Sequence, residues 1–356
     1  MKQHKLRPVT RKNLTTFAIV IVAFVVMQVL SVTGVMSNSL QGQLVPICAY
    51  IIMAVSLNLT VGVLGELSLG HAGFVCIGAY AGSIFAVSTQ DVLTSAWVRF
   101  PLALLVGGVV AAVFGILIGL PVLRLRGDYL AIVTLAFGEI IRNILGILVI
   151  GKDSAGLHLS MGQSTAMELE PGGIKIIDGP MGIKGTPGDA GFIVGFVLIL
   201  ITLFVITSMM DSRAGRAVMA IRDNRIAAES IGINITKYKL LVFAVSAFFA
   251  GIAGVLYAHN FSSLPPSKFD YNLSIMILVM VVLGGMGSIR GSVIAAVLLT
   301  ALPEMLRGLQ DYRMLIYSII LIAAMILNNN EKVKTAFERV TAKFKRQAKP
   351  AGEVAE

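Results

Sequence analysis

Glu139 and Arg142 stand three residues apart inside the apolar run 129–150, a spacing that brings both side chains to one face of a helix. A charge at the bilayer centre costs roughly 2.5–3.5 kcal/mol on insertion scales. Such a pair either neutralises itself between helices or lines a path for a polar solute, and spacing alone leaves both readings open. A second candidate is Gly65-Glu66-Leu67-Ser68-Leu69-Gly70-His71-Ala72-Gly73. Its glycines suit close backbone approach, or a broken helix whose free amides face a cavity, an arrangement that receives carboxylates in transporters. Ser68, Gly70, His71 and Gly73, with Glu139 and Arg142, are therefore the candidate substrate path. His71 by itself fits a satisfied interior histidine equally well.

Other chemistry is missing from the sequence. There is no GxxxxGK[ST] phosphate loop, so the chain is not expected to hydrolyse nucleotide itself. HExxH and CxxC patterns and a Ser-His-Asp set at a membrane edge are absent too, which leaves no catalytic residue. The four histidines, at 4, 71, 158 and 259, are scattered, and Cys48 and Cys76 lie in apolar runs where they read as small buried hydrophobes. No metal site is expected. A proton- or sodium-coupled carrier needs several deep carboxylates, and Glu139 is the one this chain offers.

The elements that must hold these residues follow from composition. Of 356 residues 56% are hydrophobic and 13% charged, against about 25% charged in an ordinary soluble domain. The mean hydropathy of +0.85 points the same way. A water-soluble enzyme is excluded, and the 36 Gly and 11 Pro follow no fibrous or low-complexity period. Lipid offers unpaired amides no partner, so a span needs about 20 mostly apolar residues in a helix. Ten candidates are present: 14–33, 44–64, 67–87, 100–123, 129–150, 191–210, 240–258, 273–289, 291–306 and 314–327. The last three are short and close together, so a merged or re-entrant segment is an alternative there. The expected fold is all-α, a polytopic integral membrane helix bundle of about ten transmembrane helices.

Orientation follows from the basic residues, because Lys and Arg concentrate in cytoplasmic loops. With the N-terminus inside, 21 of the 29 Lys and Arg fall in inside segments and 7 in outside ones, and Arg142 lies within a span. Both termini are then cytoplasmic. The run 14–33 exceeds a signal-peptide core and no clear small-x-small cleavage site follows it, so it reads as a retained helix. The net charge of +10 belongs to the membrane faces, since no basic stripe with interleaved aromatics suggests nucleic acid. The organisation is a basic N-terminus 1–13, a transmembrane domain 14–327 and a basic tail 328–356. Within the domain, 151–190 is an external loop rich in Gly and Pro, whose local run Gly179-Pro180-Met181-Gly182 and Gly185-Thr186-Pro187-Gly188 reads as successive turns, and 211–239 is a cytoplasmic loop.

That cytoplasmic loop has a helical rhythm. Val218, Ile221 and Ala228 lie near one face, and Arg222, Asp223 and Arg225 near others. Such a helix suits either insertion in a partner's groove or a bed among lipid headgroups.

The loop resembles the EAA loop of ABC-importer permeases, in which a coupling helix docks on an ATPase. SLNLTVGVLGELSLGHAGFVCIGAY (56–80), GDYLAIVTLAFGEIIRN (127–143), AIRDNRIAAESIGI (220–233) and VVLGGMGSIRG (281–291) are together similar to the LivM-type permease of branched-chain amino acid importers. The resemblance runs from about residue 44 to 327. Ile226 stands where the general EAA pattern has Glu, as the LivM-type loop does. The resemblance implies import of Leu, Ile and Val in the bacterial cell (inner) membrane. It also implies a second homologous permease, two cytoplasmic ATPase subunits that bind the ATP, and an extracellular or periplasmic binding protein. Arg222, Asp223, Asn224, Ala227, Ala228, Glu229 and Gly232 would then form the ATPase-coupling loop, and this chain would hold no cofactor. Related permeases carry urea or short-chain amides, and more distant ones simple sugars. An ion-coupled secondary carrier is the reading from a different class.

Overall fold

The computed structural model describes residues 8–33, 37–125, 127–153, 156–162 and 173–306, with single positions between 312 and 322. It divides into two units, Met1–Ala301 and Leu302–Glu356. In the second, positions 315, 316, 318, 319 and 322 are helical. The expected basic tail 328–356 and most of the span 314–327 lie outside the described residues.

The first unit is a helix bundle. In chain order it holds α1 (Pro8–Val32), α2 (Asn38–Asn58), α3 (His71–Ser88), α4 (Ala96–Val122), α5 (Asp128–Ile147), α6 (Phe192–Asp211), α7 (Arg213–Asp223), α8 (Arg225–Ser230), α9 (Ile235–Ala258) and α10 (Tyr271–Gly284), and α11 (Ile289–Met305) begins in it. Among the described residues six helices are long and apolar enough to cross a membrane. Thr16–Ser31 and Tyr271–Gly284 are shorter apolar helices.

The core is built where α3, α4 and α9 meet, and α2 packs against α9 as well. Small residues permit the approach. A Cβ on Gly78 would come within 2.2 Å of the Gly251 Cα, and one on Gly254 within 2.0 Å of the Val75 carbonyl oxygen. In lipid, where apolar burial gives helices little reason to associate, close backbone packing of this kind supplies the attraction. Gly115 and Gly119 of α4 also meet α9, against Ala247 and Leu240.

The structure departs from the expected spans at three places. The run 44–64 starts earlier, at Asn38, and its last turn, Leu59–Leu64, is π-helical. The run 67–87 is not helical at its start: the chain is unwound from Gly65 to Gly70 and α3 begins at His71. The run 273–289 ends at Gly284, and the positive φ angles of Gly285 and Gly287, 89° and 80°, turn the chain into a separate α11.

The expectation of helices alone is also corrected. An antiparallel sheet of five strands, order β2-β1-β3-β4-β5, joins β1 (Leu148–Asp153), β2 (Gly156–Met161), β3 (Ile174–Asp178), β4 (Ile183–Lys184) and β5 (Ser263–Leu264). The connection between α5 and α6 therefore carries four strands among its described residues, and β1 takes Leu148–Ile150 from the expected span 129–150. The cause is a set of β-branched residues, Val149, Ile150, Ile176, Ile177 and Ile183, all buried. The turn reading holds at Gly179–Met181, a 3-10 turn whose Gly182 reaches φ 74°.

Candidate functional site

The unwound stretch Gly65–Gly70 joins the π-helical turn to α3, and every neighbouring helix lends it a polar group. No side chain caps α3 at Gly70, so its first amides must find partners elsewhere. Leu69 N–H donates to Thr134 Oγ1 of α5 at 3.1 Å, and Ala72 N–H donates to Ser274 Oγ of α10 at 3.0 Å. Gly73 N–H returns to the Gly70 carbonyl at 3.0 Å. Thr134 in turn gives its hydroxyl proton to the Ala131 carbonyl. Three helices are thereby tied at one break.

His71 is buried and bonds Ser56 Oγ of α2 at 3.0 Å. That hydroxyl donates to the Met53 carbonyl at 2.9 Å, so it accepts from His71, which assigns the proton to Nε2. Ser246 of α9 donates to the Ser56 carbonyl at 2.7 Å. The histidine is a satisfied interior group. Two polar atoms nearby are buried without a partner, Ser68 Oγ and Asn58 Nδ2. Orphans of this kind are rare enough to mark a site rather than a packing element.

The glycines of the stretch are contact points. A Cβ at Gly70 would lie 2.0 Å from the Thr134 carbonyl oxygen, and one at Gly73 would lie 2.9 Å from the Gly138 Cα. Helices α3 and α5 cross here with only backbone between them. Ser68, Gly70, His71 and Gly73 thus come together, and Ser56, Thr134, Gly138, Ser246 and Ser274 join them. Sequence reading missed those five, although each is a lone small or hydroxyl residue in an apolar helix.

Glu139 and Arg142 pair with each other, Arg142 Nη2 to Glu139 Oε2 at 2.7 Å. The other carboxylate oxygen accepts from Tyr271 N–H at 3.1 Å and so ties α5 to the start of α10. Both side chains keep about a quarter of their surface, 25% and 29%. The pair is neither sealed nor free, and its bonds run to α10 rather than to Ser68 or His71.

The segment 211–239 is broken into α7 and α8. Asn224 lies between them and its Oδ1 accepts from Ala227 N–H at 3.1 Å, which caps α8. Val218, Ile221 and Ala228 are buried as their periodicity implied, and Ile221 and Ala228 pack with Ile235. Asp223, Ala227 and Glu229 face outward. Gly232 turns the chain at φ 85°. Ile226 and Ile231 are 80% and 75% exposed, two large apolar groups on an otherwise charged loop.

Charged groups gather where this loop meets the unwound stretch. Lys239 bonds Glu66, and Arg222 donates to the Gly62 carbonyl at 3.3 Å. A cavity of about 290 Å³ there is lined by Glu66, Asp128, Arg222, Arg225 and Lys239 among others. No group of three or more His, Cys, Asp or Glu side chains that could hold a metal ion occurs among the described residues.

The family described as "Branched-chain amino acid transport system / permease component" matches residues 39–325. This chain belongs to that permease family. The permease is 40% identical over 292 residues to the high-affinity branched-chain amino acid transport system permease protein LivM of Salmonella typhimurium, and 39% identical to that of Escherichia coli. Each match covers 78% of the permease and 66% of the relative, slightly under two thirds of its length. The ribose import permease protein RbsC of Haemophilus influenzae is 25% identical over 78% of this chain and 81% of its own. No solved structure matches the permease. The family and the apolar helices together make it a polytopic membrane protein.

Proposed function

We propose that this permease is one membrane half of an ATP-driven importer for leucine, isoleucine and valine. The 40% identity to LivM over most of the chain supports this reading more than any other observation. In this reading the bundle has ten spans with both termini cytoplasmic, and the sheet of β1–β5 lies on the side of a substrate-binding protein. ATP is bound by two ATPase subunits, and a second related permease completes the pathway.

The loop α7–α8 supplies the coupling element. Its inner face is anchored by Val218, Ile221 and Ala228, while Ile226 and Ile231 offer an apolar surface to an ATPase. Large exposed apolar groups on a charged loop are the chemistry of a docking site. ATP-driven closure of the partners would bias the bundle between two packed arrangements. The solute path would run by the break at Ser68–Gly73. Polar groups already meet there, and Ser68 Oγ has no partner. Glu139 and Arg142, a quarter exposed on the neighbouring α5, offer the two charges that a zwitterion carries.

The test is uptake by vesicles holding this permease with its companion permease, ATPases and binding protein. Labelled leucine should accumulate only when ATP and all components are present. Accumulation by the permease alone would establish a secondary carrier instead. Uptake of urea or ribose in place of leucine would shift the substrate while leaving the architecture intact.

A further inference from the structure

We infer that Arg222 passes movement of the α7–α8 loop directly to the broken helix Leu59–Gly70, gripping it at Gly62 and Gly65. This rests on the importer reading and concerns what the loop does on its inner side. Arg222 lies in the last turn of α7, and its guanidinium bonds in two directions. Nε and Nη2 donate to Asp223 Oδ1 at 3.1 and 3.0 Å, and Nη1 donates to the Gly62 carbonyl at 3.3 Å. The aliphatic stem lies on the Gly65 backbone, where a Cβ would meet Arg222 Cγ at 2.7 Å and Cδ at 3.3 Å. Gly65 is held at φ 79°, so a side chain there would be both crowded and strained.

The grip falls on a part of the fold that has room to move. Two cavities, about 290 and about 400 Å³, border it, and Gly65, Leu67 and Arg222 line both. Beyond the grip, the stretch is held by Leu69 N–H on Thr134 and Ala72 N–H on Ser274, with Ser68 Oγ buried and unsatisfied just before them in the chain. A pull on Gly62 and Gly65 would act on those two bonds and uncover Ser68. On the other side, Val218 and Ile221 anchor α7, so Arg222 moves with the loop. The bond of Lys239 to Glu66 ties the same stretch to α9, a core helix.

The experiment uses the complete importer, with both permeases, the ATPases and the binding protein in lipid vesicles. Arg222→Met keeps a long stem and removes the donors, and Arg222→Lys keeps one. Three quantities are read: ATPase subunits co-purified, ATP hydrolysed per leucine imported, and maleimide labelling of a Ser68→Cys reporter with and without nucleotide. Cys48 and Cys76 are buried and stay in place. Arg222→Met should retain its ATPases yet raise the ATP cost per leucine about tenfold, the scale of one charged hydrogen bond. Labelling of the reporter should then stop following nucleotide. Arg222→Lys should recover part of both, and Lys237→Met, at an exposed position in the first turn of α9, should stay within about twofold of the parent.

Loss of the ATPases from Arg222→Met would assign the residue to docking and overturn the inference. Parental stoichiometry with nucleotide-dependent labelling would overturn it as well. If Arg222→Met fails to insert, Arg222→Lys decides by the same two readouts. Absence of ATPases from the parent complex would instead refute the importer reading, before any variant is made.

Discussion

A methyl group at Gly70 would sit 2.0 Å from the Thr134 carbonyl oxygen, so Gly70→Ala must push α3 away from α5. The φ of Gly70 is −97°, which alanine adopts freely, so the cost is one of space alone. Overpacking of this kind costs about 1–3 kcal/mol. Leucine uptake should fall about tenfold or more, with ATPase subunits still co-purifying. Gly42→Ala, with nothing within 4 Å of the new carbon, is the control and should leave uptake unchanged. The special character of Gly65–Gly73 was legible because nine residues held three glycines at the head of an apolar run. The partners of that segment were not legible. Ser56, Thr134 and Ser274 come from three different helices, and a lone hydroxyl in an apolar run carries no mark of what it will face.

At the scale of elements, periodicity identified α7 and α8 correctly as far as their buried face. Val218, Ile221 and Ala228 recur at helical spacing, and burial follows spacing wherever a helix lies on a surface. The break at Asn224 was not foreseen, although an Asn that can cap the next turn is a recognised start signal. Removing that cap by Asn224→Ala should cost about 1 kcal/mol locally. It should reduce ATPase co-purification several-fold without affecting insertion. Replacing Ile226, 80% exposed, with Asp should weaken the same association more strongly, since a charge would enter an apolar contact. Pull-down of the ATPases from detergent extracts measures both effects. The sheet was missed for a different reason. Its strands are short, and β4 and β5 have two residues each and are joined across the whole of α6 to α9.

For the whole molecule, the buried pair of Arg99 and Asp189 shows how distant segments are locked together. Arg99 lies in the first turn of α4 and Asp189 just before α6, and their side chains are 2.7 Å apart and little exposed. Asp189→Ala would leave a buried guanidinium without its anion, which costs about 3–5 kcal/mol. The melting temperature of the purified permease should fall by several degrees. Arg99→Met with Asp189→Ala should recover much of that loss. Composition and hydropathy by themselves determined that this chain lives in lipid and that its backbone must be helical there. Lipid enforces those outcomes on any sequence so apolar, one run at a time. Only the tertiary structure decided that the helix before α3 breaks, that Arg222 turns inward onto the break, and that residues between α5 and α6 pair with a strand beyond α9. Each of these depends on which backbone groups a neighbouring segment can satisfy, and a one-dimensional pattern holds no record of neighbours.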